Sequence, residues 1–316
     1  MRILITGGAG FIGFHVASGL LSQGNEVSLI DNFNDFYDPA IKRANVRDLT
    51  DAGLGRVFEM DILDVPGLRS AFHQVQPQAV VHLAAWAGVR PSIQMPELYA
   101  NVNVTGTVNL LEQARETHVE SFIFGSSSSV YGGSTKVPFS EDDPVERPIS
   151  PYAATKRAGE LLCHTYAHNF AQHITCLRLF TVYGPRQRPE MAIHKFTRLM
   201  MEGKEIPVFG DGHSQRDYTY IDDIVDGVLA ALRVNAEFEI LNLGESRTIT
   251  LIELLALMEK ALDRKAITRF YPEQPGDMPI TYADITRSRR ILGYDPKSPI
   301  EEGIRQFAAW FLKRYC

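Results

Sequence analysis

A strand-like run, Arg2-Ile3-Leu4-Ile5, passes directly into Thr6-Gly7-Gly8-Ala9-Gly10-Phe11-Ile12-Gly13 and then into a helical pattern. This order of strand, glycine turn and helix is the tightest constraint on the chain. Gly7 permits the sharp turn, Gly10 lets the backbone approach a phosphate, and Gly13 lets the helix lie close against the sheet. With Phe11 and Ile12 between the last two glycines, the helix start faces whatever anion the turn holds.

The rest of the first half repeats the theme. Ile3–Thr6, Glu26–Ile30, Val57–Met60, Ala79–Leu83, Ser121–Phe124 and Thr175–Leu179 read as strands, alternating with helical stretches such as Phe11–Gln23, Val102–Glu116 and Ala153–Phe170. That alternation predicts an α/β fold, a doubly wound parallel Rossmann sheet built from right-handed crossovers. After Tyr183, Pro- and Gly-punctuated segments (Gly184-Pro185, Gly210-Asp211-Gly212, Pro272–Pro279) predict a smaller, loop-rich α/β substrate lobe. The expected division is 1–180 and 181–316. The Ile221–Leu232 helix and Glu239–Leu243 strand return to the first part, near 217–244.

Composition excludes several classes of function. A net charge of −6 with no long basic run argues against a nucleic-acid surface and for small-molecule partners. No apolar stretch approaches the roughly 20 residues needed to cross a bilayer, and the first strand leaves no room for a signal peptide, so a cytoplasmic protein is expected. Cys163, Cys176 and Cys316 are too few and too scattered for a disulfide framework or a zinc site, and no metal is expected.

Asp31 ends the second strand, 18 residues beyond Gly13. A carboxylate there accepts from both hydroxyls of an adenosine ribose and repels a 2′-phosphate, which favours NAD over NADP. Asp61-Ile62 after the third strand can flank the adenine, and Leu83-Ala84-Ala85 after the fourth can line the cofactor. Asp61 reads equally well as a helix cap or turn residue.

Tyr152 and Lys156 stand four apart in Ser150-Pro151-Tyr152-Ala153-Ala154-Thr155-Lys156, on one face of a helix. A phenol of pKa ~10 is a poor base. Bringing it to ~7 needs about 4 kcal/mol, within reach of a nearby ammonium and a nicotinamide cation in a partly dry site. The run Ser126-Ser127-Ser128-Ser129 follows the fifth strand at the carboxyl edge of the sheet, where ligands of such folds bind. Not all four can reach one substrate atom. Ser127 is favoured to bridge the alcohol and Tyr152, with Ser129 next, and some of the four are turn residues.

Together the glycine loop, Asp31, the serine run and Tyr152/Lys156 resemble the extended short-chain dehydrogenase/reductase family over essentially the whole chain. Three stretches look like the UDP-glucuronate 4-epimerases within it: Asp31-Asn32-Phe33-Asn34-Asp35-Phe36-Tyr37-Asp38-Pro39, Ala87-Gly88-Val89-Arg90, and Tyr183-Gly184-Pro185-Arg186-Gln187-Arg188-Pro189-Glu190-Met191-Ala192. The first differs from typical UDP-glucose 4-epimerases and discriminates best.

The resemblance implies NAD-dependent inversion of C4 of a UDP-sugar through a 4-keto intermediate, with Tyr152 taking and returning the proton. It adds Asn32 to the cofactor residues. On the substrate it implies Arg90, Ser128, Thr181 and Met191, with Arg188 on a uronate carboxylate. For the nucleotide it points to Lys195 and Phe196, to Val208 and Phe209 beside the uracil, to Arg216 on the diphosphate and to Asp277 on the uridine ribose. Arg188 reads otherwise as a solvated loop arginine, and Val208 with Phe209 as lobe core.

Helices near Glu97–Glu116 and Tyr152–Phe170 are the implied homodimer interface. Rival readings are UDP-glucose 4-epimerase, then UDP-glucuronate decarboxylase. A sugar 4,6-dehydratase would need an acid beside the catalytic serine, which Ser126–Ser129 lack, and a redox-sensing binding module would not need Tyr152 and Lys156 intact.

Overall fold

The computed structural model describes residues 1–273 and 278–316. Asp277, implied above for the uridine ribose, lies outside the described residues.

Six strands, β1 (Arg2–Thr6), β2 (Glu26–Asp31), β3 (Val57–Glu59), β4 (Ala79–His82), β5 (Ser121–Ser127) and β6 (His173–Leu179), form one sheet with the returning strand Phe238–Leu243. The order across it is Phe238–Leu243, β6, β5, β4, β1, β2, β3, and each neighbouring pair is parallel. The predicted sheet is therefore present, return included. Its strands are near-continuous apolar runs because helices cover both faces: Leu4, Ile30, Val80 and Phe122 face one core, Ile3, Ile5, Leu29 and Val81 the other.

The chain winds outward from β1 through β2 to β3, then crosses back to β4 and winds the other way. Strand order thus reverses between β1 and β4, and a crevice opens beyond their carboxyl ends. Helix α1 (Phe11–Ser22) leaves the glycine turn there, and α2 (Pro39–Asp51) follows β2 with Asp38 capping its first turn.

Boundaries differ from expectation in two places that matter. Strand β5 runs through Ser126 and Ser127, so those serines are fixed by sheet pairing with Arg178 and Leu179, while Ser128–Tyr131 forms a tight helical turn. The helix expected over 102–116 begins with a widened turn at Asn101–Thr105 before settling into Gly106–Glu116.

The second half is more regular than its punctuation suggests. Among the described residues, helices Ala192–Met201, Leu251–Leu262, Thr286–Leu292 and Ile300–Tyr315 pack among three short two-stranded sheets. Glycines and prolines here mark the joints between elements rather than loops in place of them. The Ile221–Ala231 helix packs on α1, where Gly19 makes room for Val225. Phe139 reaches the other way, exchanging backbone bonds with Tyr282 and Asp284.

Candidate active site

A cleft of about 640 Å³ opens at the β1/β4 crevice and runs from Gly7 to Arg216. Its floor is backbone. Gly7 sits at φ +68°, and a Cβ there would lie 2.7 Å from the Ala84 nitrogen; a Cβ on Gly13 would lie 2.3 Å from the Gly7 carbonyl oxygen. Any larger residue would push β1, β4 and α1 apart. Gly10 caps α1 with no side-chain hydrogen bond, so its first-turn N–H groups remain available to an anion in the cleft.

Asp31 is buried at the end of β2, accepting from Ala9 N at 3.1 Å and Phe33 N at 2.9 Å. Burial raises its pKa, and the Lys42 ammonium pulls the other way. Lys42 is itself buried, donating to the Asn34 carbonyl and side-chain oxygens at 3.0 and 2.8 Å. Phe11, Ile12, Asn32, Asp61, Ile62, Leu83, Ala84 and Ala85 all line the cleft. Asp61 serves the turn, accepting from Leu63 N and from Asn32 Nδ2 at 2.9 and 2.8 Å, while also lining the cleft. This cradle fits a dinucleotide: close backbone for phosphates, a helix start, and a buried carboxylate one strand away.

Tyr152 and Lys156 project into the cleft from the Pro151–Phe170 helix, whose first turn Ser150 caps at Ala153 N, 3.1 Å. The four serines separate by geometry. Ser126 turns beneath the sheet edge to Glu160 at 2.6 Å, whereas the Ser127 hydroxyl accepts from Ser129 N at 3.2 Å and lies near enough to Tyr152 to pull the phenol pKa down. Ser128 and Ser129 line the cleft, and among the described residues the buried Ser129 hydroxyl has no hydrogen-bond partner. Under them lies a buried ion pair: Arg178 (1% exposed) donates to Glu160 (0%) through Nε and Nη2 at 2.8 and 2.9 Å.

The Lys156 Nζ donates to the Gly125 carbonyl at 2.7 Å, and burial pushes its own pKa down to about 8. Burial raises the Tyr152 pKa, and the Ser127 hydroxyl and the Arg188 guanidinium pull it back. One helical turn from Tyr152, the lysine side chain runs to β5 and is engaged there.

Arg188 lines the cleft with Thr181 and Met191. Its Nε meets Glu190 at 2.9 Å, its Nη2 lies 3.4 Å from Met191 Sδ, and its guanidinium rests 5.5 Å from the centre of the Phe36 ring. Arg90 and Arg216 also line the cleft, Arg90 lying over the Phe209 ring at 5.2 Å. Phe196 and Val208, at 7% and 1% exposure, belong to the core behind this wall, with Lys195 partly exposed beside them.

Sequence reading misses Asn34, Phe36, Tyr37, Lys42 and Glu190 as lining residues. Phe36 and Glu190 lie inside stretches used only for the resemblance. Lys42 had a usable signal: it shares a helical face with Asn45, whose side chain binds the Ala9 carbonyl at 2.9 Å.

The model of the NAD dependent epimerase/dehydratase family matches residues 3–244. UDP-glucuronate 4-epimerase 4 of Arabidopsis thaliana is 43% identical, covering 100% of this chain and 76% of that protein. The UDP-glucuronate 4-epimerase of Thermodesulfobacterium geofontis is 40% identical over 97% of this chain and 95% of its own. Among solved structures, UDP-glucuronic acid 4-epimerase from Bacillus cereus, in complex with UDP-glucuronic acid and NAD, superposes with a TM-score of 0.94 at 36% identity, covering 100% of both chains. UDP-glucose 4-epimerase from Thermotoga maritima, with UDP-glucose, gives 0.90 at 34% identity over 99% of each. The chain belongs to the NAD dependent epimerase/dehydratase family.

Proposed function

We propose that this protein is an NAD-dependent isomerase that inverts C4 of UDP-glucuronate to give UDP-galacturonate. The observation that carries this reading is one unbroken cleft with the glycine cradle at one end, Arg188 at the other, and the Tyr152–Ser127 pair between them. When bound, NAD supplies the hydride acceptor and then the hydride donor at C4.

Tyr152 removes the proton of the 4-hydroxyl and later returns it, with Ser127 holding the substrate oxygen and the phenol in line. Lys156, through Gly125 O, ties the Tyr152 helix to the end of β5 and keeps a positive charge under the reacting centre. Gly7, Gly10, Gly13, Asp31 and Asn32 hold the cofactor, and Asp61, Ile62, Leu83, Ala84 and Ala85 enclose it.

A 4-keto uronate is a β-keto acid, and it loses carbon dioxide when its carboxylate aligns with the carbonyl π system. Arg188 offers two parallel N–H donors that hold the carboxylate out of that alignment, with Thr181, Ser128 and Ser129 as further donors. Arg216 takes the diphosphate. Arg90 on Phe209 faces the nucleotide, with Val208, Phe196 and Lys195 as the wall behind, and Asp277 is assigned to the ribose by resemblance alone. We assign 1–180 with the 217–244 return to NAD and the remainder of 181–316 to the UDP-sugar.

Leu161, midway along the Pro151–Phe170 helix, is 53% exposed, which supports a homodimer across the face it stands on. Among the described residues no helix is long and apolar enough to cross a membrane, and we propose a cytoplasmic setting.

The test is product analysis by NMR with UDP-glucuronate and UDP-glucose offered in parallel and no NAD added. UDP-galacturonate is expected from the uronate. UDP-pentose with carbon dioxide as main products would transfer the chain to the decarboxylases, and turnover of UDP-glucose alone would make it the neutral-sugar epimerase.

A further inference from the structure

The three stretches that carry the resemblance lie far apart in the chain, and the fold brings them to one point. Phe36, from the first, packs edge-on against Trp86 with ring centres 5.5 Å apart. Gly88, from the second, lies beneath it: a Cβ on that glycine would come within 4.0 Å of the Phe36 ring. Arg188, from the third, spreads its guanidinium over the Phe36 face.

The contact continues inward. Trp86 meets Tyr99 at 6.4 Å, and Tyr99 meets Tyr152 edge-on at 6.2 Å. Asn103 clamps Trp86 at both backbone groups, at 2.8 and 3.0 Å, and the Tyr99 hydroxyl donates to the Ala87 carbonyl at 2.6 Å. A file of rings therefore joins the phenol that handles the proton to the platform under the guanidinium. Rings held at both face and edge move little, so the file sets the separation and tilt of the two groups.

We propose that Phe36 is a specificity-determining positioning residue, whose ring orients Arg188 relative to Tyr152 so that a uronate carboxylate is gripped out of line with the ketone. This rests on the assignment of Arg188 to the carboxylate. Glu190 is the resident partner of Arg188 in the same turn, and without the ring the arginine is free to follow Glu190 toward solvent.

The experiment uses purified holoenzyme and the variants Phe36→Leu, Phe36→Tyr and Arg188→Ala. For each, KM and kcat on UDP-glucuronate, the share of UDP-pentose in the product and the bound NAD content are measured. Phe36→Leu is expected to raise KM about two- to five-fold, the size of one half-exposed cation–π contact, and to raise the UDP-pentose share at unchanged NAD content. Phe36→Tyr, which keeps the ring face, restores both.

If Phe36→Leu loses NAD, Phe36→Met, unbranched and ringless, is judged by the same criteria. An impaired Arg188→Ala beside an unaltered Phe36→Leu overturns the brace alone, as does a Phe36→Tyr variant no better than Phe36→Leu. An unaltered Arg188→Ala instead removes the carboxylate assignment underneath it.

Discussion

The two ends of the cleft are built on different principles. At the glycine end, one continuous segment supplies turn, helix start and close backbone approach, and its side chains hardly matter. At the Arg188 end, single side chains from four separate regions, Phe36, Arg90, Arg188 and Arg216, converge on a pocket no one segment could form. Backbone recognition tolerates almost no substitution, because a Cβ has nowhere to go; side-chain recognition can change substrate by changing one residue. The same division accounts for a family that shares a cofactor and differs in sugars.

Tyr152 stands where the two ends meet, and its removal has the largest expected effect. Tyr152→Phe should lower turnover about a thousand-fold or more while bound NAD, assayed after denaturation, stays at the parent level. Turnover within ten-fold of the parent would place the proton transfer on another group. Gly13→Ala should act only on the first end: about a ten-fold or greater loss of bound NAD, because the new methyl meets the Gly7 carbonyl at 2.3 Å and α1 must shift. Full NAD retention would mean that the glycine loop gives way more easily than its packing implies.

Arg188→Ala should act only on the other end. Loss of a charge-assisted contact predicts about a ten- to hundred-fold fall in kcat/KM on UDP-glucuronate, with more decarboxylated product and NAD retained. Unchanged kinetics and product ratio would take Arg188 out of the site.

The smallest effect concerns the second half of the chain. Burial, with Asp223 and Asp217 nearby, raises the Glu245 pKa from 4.5 to about 7, and Glu245 Oε2 is buried with no partner among the described residues. The unfolded chain releases this proton near 4.5 while the folded one keeps it to about 7. The folded state therefore binds more protons within that window, and stability falls as pH rises through it. Glu245→Gln removes this penalty. Its Tm should exceed the parent's by about 2 °C at pH 8, with the difference vanishing below pH 4.5. An equal difference at both pH values would make the effect one of packing instead of charge.

The fold was readable from residues because its signals are local. Strand–helix alternation, the glycine turn and an acid after the second strand each reflect a demand made within a few residues, and the same holds for Tyr152 and Lys156 on one helical face. Those features alone determined the parallel sheet, the place of the cleft and which residues stand at its centre.

Other decisions passed to the tertiary structure. Which serine comes near Tyr152 depended on β5 continuing three residues past Phe124, which turned Ser126 to Glu160 and left Ser127 beside the phenol. Lys156 met a backbone carbonyl instead of the phenol, Lys42 was drawn inward beside Asp31, and Phe36 came under an arginine 152 positions away. Contacts of this kind depend on strand order and on the direction a side chain takes once its neighbours are packed. Neither leaves a short-range mark, so the sequence by itself determined the scaffold and which residues meet in its cleft, and only the assembled sheet decided what each of them touches.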